Sequence, residues 1–262
     1  MELSTVQYVN SVKTSDTLVI YGSGYSIHSL TKEEIAKLSE YDSIGFNWFC
    51  KSHIPTTYYV IREQCLFPPI ERGEGRQDLI REINRHYSGS FLFVVNMRGS
   101  GVVWKKLKGW KSATRTFRRN KGIIIKERFF EHIYKPKKDK SEFSKIEMLV
   151  NEMNNTDVFK GGLIYYACTM SNIIHLAVQL KYKNIIFVGV DLYDHRYFWL
   201  PKNKLREITR SHGRGIDQKH KTANFMRHWS ETITQMRPDI HIEVRNEKSL
   251  IAPYFKTWKL DG

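Results

Sequence analysis

Cysteine is nearly absent from this chain, with three in 262 residues at Cys50, Cys65 and Cys168. They are odd in number and widely spaced. That pattern excludes a disulfide framework and a CxxC-type metal knuckle, and it is expected of a reducing, cytoplasmic compartment. Long apolar runs are missing too. No stretch approaches the roughly 20 residues that cross a bilayer, and the opening MELSTVQYVNSVKTSD is too polar to read as a signal peptide. Repeats, low-complexity tracts and linkers are likewise lacking. Acidic residues are in short supply, 27 against 42 basic ones, for a net charge of +15. Such a field attracts polyanions, which leaves nucleic acid, anionic lipid headgroups and acidic sugar or nucleotide substrates as candidate partners.

What is present is a globular chain. Apolar residues make up 41% of it, enough for one core, and the length suits one domain spanning 1–262. The pattern predicts strands over Thr17–Tyr21, Asp42–Phe46, Tyr58–Ile61, Phe91–Asn96, Asn184–Gly189 and Ile240–Val244, with a further one in the IIIKERFF run. It predicts helices over Thr31–Leu38, with a Thr31/Glu34 capping box, and over Gln77–His86, Gly161–Leu180 and Thr222–Met236. Alternating strands and helices imply an α/β, Rossmann-like fold, a mostly parallel sheet with helices on both faces. Two segments break the alternation. Lys105–Lys121 carries eight basic residues and no acidic one, with Trp110 and Phe117 interleaved. Phe198–Lys219 is polar, basic and irregular, and reads as a mobile loop. A lid over about 194–219 is expected from it.

Ligands of open parallel sheets bind beyond the carboxyl ends of the strands. Three groups of residues fall there: Gly22-Ser23-Gly24 after the first strand, Asn47 after the second, and Asp191 with Tyr193 after the strand NIIFVG. Glycines directly after a strand admit either a phosphate close to the backbone or a tightly packed helix. Gly161-Gly162, read as a helix start, offers a second anion position or a close helix contact. His220, between the irregular loop and a helix, has the chemistry of a general base. His175 reads as a core residue; His28, His86, His132 and His228 read as surface or packing residues. There is no HExxH, CxxC or DxD, so no metal and no cofactor are expected; the Asp191/Asp194 pair reads more readily as a strand-end cap than as a cation site.

The order of these segments resembles the bacterial sialyltransferases of glycosyltransferase family 42. GSGYSI is similar to the family's G-x-G-x-S-[LI] loop, FNWF to its [CF]-N-x-F, and Gly189-Val190-Asp191-Leu192-Tyr193 to its G-[IV]-D-x-Y strand end. HKTANFMRHW is similar to the segment that opens with the catalytic histidine, and RNEKSLIAPYF to a closing strand followed by N-x-x-S-L. The resemblance runs from Leu18 to Phe255. Where the family usually carries Ser-Gly or Thr-Ser-Gly, this chain has Lys160-Gly161-Gly162.

The resemblance implies a GT-A-like variant that moves sialic acid, or a related 2-keto sugar acid, from a CMP-sugar to a glycan acceptor. Transfer would be inverting and need no catalytic metal. Gly22, Ser23, Gly24, Ser26, Asn47 and Asp191 would line the nucleotide and donor. Gly161 and Gly162 would touch the donor's carboxylate or phosphate. Tyr193 and Tyr197 would hold the leaving phosphate, His220 would be the base, and Asn246 and Ser249 would contact the nucleotide. The product would belong to lipopolysaccharide or capsule synthesis at the inner face of a bacterial membrane. By its composition the basic stretch 105–121 is read as engaging an anionic membrane surface or an acidic glycan acceptor, or as a plain solvated face. A CMP-Kdo or other nucleotide-sugar transferase, another nucleotide enzyme and a basic nucleic-acid-binding protein are the rival readings. The oligomeric state stays open, a homo-oligomer included.

Overall fold

The computed structural model describes residues 5–62, 82–83, 85–87, 90–96, 123–129, 142–166, 168–193, 197–199 and 215–260. The basic stretch 105–121 and most of the expected lid, residues 194–196 and 200–214, lie outside them.

The described strands are β1 (Thr17–Tyr21), β2 (Asp42–Phe46), β3 (Tyr58–Arg62), β4 (Phe91–Asn96), β5 (Ile123–Phe129), β6 (Leu163–Tyr165), β7 (Asn184–Val188), β8 (His241–Val244) and β9 (Lys256–Thr257). The helices are α1 (Thr5–Val12), α2 (Lys32–Leu38), α3 (Glu142–Asn155), α4 (Val158–Gly161), α5 (Thr169–Gln179) and α6 (Gly215–Met236). All nine strands join one sheet in the order β6-β5-β4-β3-β2-β1-β7-β8-β9, and every pairing is parallel. No described helix is long and apolar enough to cross a membrane.

β1, β4 and β7 are largely continuous apolar runs because helices or turns cover both faces; β2, Asp-Ser-Ile-Gly-Phe, is equally buried without being one. Alternate side chains then serve opposite cores. Leu18 and Ile20 of β1, with Ile185 and Phe187 of β7, join the core built by α3, α5 and α6. Val19 and Tyr21, with Ile186 and Val188, join the core on the opposite face, which holds Leu38 of α2, Ile27, Phe49 and Trp258. Each fully buried aliphatic side chain contributes about 1.5–3 kcal/mol, and Leu18, Val19 and Ile20 of β1 are all fully buried.

The capping box at α2 forms as read: Glu34 N–H donates to Thr31 Oγ1 at 3.1 Å, and Thr31 N–H donates to Glu34 Oε2 at 2.8 Å. The glycine pair is different. Gly161 closes the short α4 and Gly162 caps its C-terminus with φ of 93°; β6 and then α5 follow, so the single helix expected over Gly161–Leu180 is three elements. A short apolar run such as LIY does not reveal by periodicity whether it is strand or helix. Phe198 is also corrected, since it is buried in the second core rather than part of an irregular loop. α6 begins at Gly215, seven residues ahead of the expected Thr222. His175 of α5 is the satisfied core residue expected: Ile164 N–H donates to its Nδ1 at 3.0 Å.

Candidate active site

The chain runs outward from β1 through β2 to β6, returns, and adds β7, β8 and β9 on the other side of β1. β1 and β7 therefore flank the topological switch point, where the crossovers diverge and leave a crevice beyond the carboxyl ends. The loops after both strands meet there.

Two backbone hydrogen bonds extend the β1–β7 pairing past the strands: Gly22 N–H donates to Val188 O and Gly24 N–H to Gly189 O, both at 2.7 Å. A Cβ on Gly22 would run into the Gly189 carbonyl oxygen, and one on Gly24 into the Asp191 carboxylate. The glycines are required because one loop lies against the other, and their N–H groups are engaged with carbonyls rather than left for a phosphate. Gly189 answers from the other side with φ of +69°. Between them Ser23 is the free element: its Oγ is buried and has no hydrogen-bond partner.

Asp191, only 3% exposed, joins three loops. It accepts from Ser26 N–H at 2.8 Å and from the Ser26 hydroxyl, both at the start of the 3-10 turn Tyr25–Ser29 that follows the glycines. It also accepts from Asn246 Nδ2 at 2.7 Å, beyond β8. Ser249, equally buried, donates to Val190 O, and Leu250 N–H donates to Asp191 O at 3.2 Å. Asn246 Oδ1 accepts from Lys248 N–H at 3.1 Å. Leu192 then takes φ of 59°, a left-handed conformation that costs about 1–3 kcal/mol in a bulky residue and persists only where the surroundings enforce it. Asp191 faces inward on one side of it; Tyr193, 39% exposed, lies on the other.

Tyr197 returns to the same place. Its backbone bridges Gly24, and its ring stacks on Trp199 with centroids 4.6 Å apart. Trp199 in turn lies 6.4 Å from Trp48, the residue after Asn47. Phe198 pins this segment: its N–H donates to Ser23 O at 3.4 Å, and its carbonyl accepts from His28 Nε2 at 2.7 Å, which fixes the proton of His28 on Nε2. Arg245 clamps the rim, donating to both oxygens of Glu34 and to Ser29. Burial pushes the Glu34 carboxyl up, but the Arg245 and Thr31 hydrogen bonds outweigh it and leave it below the ordinary carboxylate range.

Gly22, Ser23, Gly24, Ser26, Asp191, Asn246 and Ser249 thus form one hydrogen-bonded unit, with Tyr193 and Tyr197 on its exposed side. Asn47 opens the 3-10 turn at the carboxyl end of β2. His220 lies in the second turn of α6. Gly161 and Gly162 do not join. They precede β6, at the amino end of a strand on the far edge of the sheet. Their N–H groups donate to Asp157 O and Val158 O at 2.7 and 3.1 Å, so the pair ends a helix and does not offer the free N–H groups of a helix start. The sequence reading missed Trp48, Phe198, Trp199 and His28. For three of them the signal was proximity in sequence, since FNWF places Trp48 next to Asn47 and YFWL places Phe198 and Trp199 one and two residues after Tyr197.

Two solved sialyltransferases resemble the chain. One is the sialyltransferase CstII from Campylobacter jejuni in complex with a substrate analogue, CMP-3FNeuAc, at 15% identity over 92% of this chain and 85% of that one, with a TM-score of 0.48. The other is the monofunctional alpha-2,3-sialyltransferase Cst-I from Campylobacter jejuni, at 12% identity over 94% and 82%, also with a TM-score of 0.48. No family model and no curated protein matches the chain.

Proposed function

We propose that the chain is an inverting glycosyltransferase that moves a sialic acid, or a related 2-keto sugar acid, from a CMP-sugar to a glycan acceptor. The observation that carries this reading is the convergence of the GSGYS, GVDLY and N-x-x-S-L segments on Asp191 at the switch point. These are three of the segments on which the sequence resembles family 42.

In this mechanism the acceptor oxygen attacks the anomeric carbon while the bond from that carbon to the phosphate oxygen breaks, and CMP departs. His220 takes the acceptor hydroxyl's proton as the new bond forms. Tyr193 and Tyr197 donate phenolic hydrogen bonds to the phosphate as its charge develops, the kind of preorganised stabilisation that replaces a metal. Asn47 and Ser23, just past the carboxyl ends of β2 and β1, would contact the donor. Ser26, Asp191, Asn246 and Ser249 hold the loops at the spacing the donor requires, which makes them positioning residues.

The test is nucleotide release from CMP-Neu5Ac, CMP-Kdo, UDP-sugars and GDP-sugars, with and without EDTA, beside a salt-dependent nucleic-acid binding assay. Acceptor-dependent CMP release that survives EDTA is expected. Release from UDP- or GDP-sugars alone, or nucleic-acid binding with no release at all, overturns the reading. His220→Ala should lower transfer at least ~10²-fold, the low end for loss of a general base, with the melting curve and CMP binding unchanged.

A further inference from the structure

On the β3–β4 side of the second core, three side chains from two parts of the sequence meet. His53 follows the 3-10 turn Asn47–Ser52, and Glu82 and His86 sit one turn apart on the helical residues before β4. Their ligand atoms all lie within 4.8 Å of one another. His53 Nε2 is 3.7 Å and His86 Nε2 is 3.5 Å from Glu82 Oε2. Both separations exceed the 2.7–3.2 Å of a hydrogen bond. The edge of a tetrahedron around a zinc ion is roughly 3.3–3.6 Å for metal–ligand bonds of 2.0–2.2 Å, which the His86–Glu82 separation fits and the His53–Glu82 separation slightly exceeds. The other oxygen, Oε1, faces Arg85 Nη1 at 3.9 Å, a loose surface pair that leaves Oε2 to the imidazoles.

We propose that His53, Glu82 and His86 form a site for a zinc-type divalent cation, with water in the fourth position. The donor set of two imidazoles and one carboxylate suits zinc and its first-row neighbours rather than magnesium, which takes six oxygens. The backbone supports it. His53 adopts φ of 61°, the left-handed region that costs a non-glycine residue free energy and recurs at ligand clamps, and this conformation places its ring over that of His86, centroids 4.0 Å apart. Those rings are nearly parallel, at 19°, so binding requires the His53 ring to turn. Its side chain is 57% exposed, and turning gives up the stacking contact with His86. Glu82, at 18%, is the fixed member. The ion would fasten the turn that begins with Asn47 and Trp48 to the helical segment that Tyr87 anchors against Phe49, where the Tyr87 hydroxyl donates to Phe49 O at 3.4 Å.

The full chain is stripped with a chelator, dialysed and titrated with Zn²⁺, Co²⁺ and Mg²⁺ by calorimetry, visible absorption and thermal melting. One equivalent of Zn²⁺ is expected, competing with one equivalent of Co²⁺ that gives the intense visible band of a tetrahedral site. At free Zn²⁺ about 100 times Kd the melting temperature should rise by about 5 °C, and Mg²⁺ should leave it unchanged. His53→Gly keeps the backbone conformation and removes the ligand; it and His86→Ala should each weaken Zn²⁺ binding at least ~10-fold while apo melting stays close to wild type. Absence of saturable Zn²⁺ binding, an octahedral Co²⁺ spectrum, or unchanged affinity in the His53→Gly/His86→Ala double variant overturns the site.

Discussion

Two buried aspartates mark the two ends of the central strands, and they differ in what surrounds them. Asp42, at the start of β2 and 1% exposed, accepts from Thr14 N–H at 2.9 Å, the Thr14 hydroxyl at 2.6 Å, Ser15 N–H at 3.1 Å and the Tyr182 hydroxyl at 2.8 Å. Asp191, just past β7, accepts from Ser26 twice and from Asn246. Both carboxylates gather loops by the same means. Around Asp42 the donors are the connection into β1 and a tyrosine whose phenol burial drives far above its ordinary pKa, so that end is closed. Around Asp191 two tyrosines remain about 40% exposed, so that end is built but open; the Ser23 hydroxyl beside it is buried and unpartnered. The same device closes one end of the sheet and leaves side chains exposed at the other.

The comparison breaks most decisively with Asp42→Ala and Asp191→Ala. Each orphans several buried donors, at about 1–3 kcal/mol apiece, for a loss near 3–5 kcal/mol in denaturant unfolding. Only Asp191→Ala should abolish the CMP-induced rise in melting temperature. Equal weakening of CMP binding by Asp42→Ala would dissolve the distinction.

A third buried ionisable group sharpens it. Burial holds His175 neutral, its pKa brought down to about 4 from an ordinary 6.5. The unfolded chain therefore takes up the proton first. Stability is full above about pH 6.5 and falls as pH drops toward 4, by up to about 3 kcal/mol. The stability–pH curve of His175→Asn should be flatter than wild type over that window; parallel curves would assign the acid loss to other groups.

Gly24→Ala comes next, expected to cost about 2 kcal/mol through overpacking against Asp191, with CMP affinity lowered as the loops part. Smallest is the pair Tyr182→Phe and Asn246→Ala, each removing one donor for about 1 kcal/mol. Of these two, only Asn246→Ala should change the KM for donor.

The halves of the molecule were unequally legible in the sequence. β1 and β4 carry β-branched and aromatic runs, and they form with the boundaries read; so does β2, on the weaker pattern Asp-Ser-Ile-Gly-Phe. Thr31 and Glu34 announce the start of α2 because a capping box is a local signal. Gly161-Gly162 misled because a helix end and a helix beginning both favour glycine, and only the φ of Gly162 separates them. Asp191, Asn246 and Ser249 were found through motif order, but their bonds to one another are long-range and leave no periodic trace. His53 lay beyond reach for the same reason: its partners Glu82 and His86 are spaced i, i+4, yet nothing in the sequence says that a turn after β2 folds over them.

The sheet order also sets a timetable. β1 pairs with β2, its near neighbour in the chain, and with β7, where Thr17 and Asn184 are 167 residues apart. Closing so large a loop costs entropy before any contact repays it, and topologies rich in distant pairings fold slowly. On a ribosome the β1–β2 side can assemble early, while the other edge of β1 stays bare until β7 emerges. The Gly22–Gly24 loop has no Gly189 or Asp191 to rest on until then, so the candidate site is among the last parts of this protein to exist.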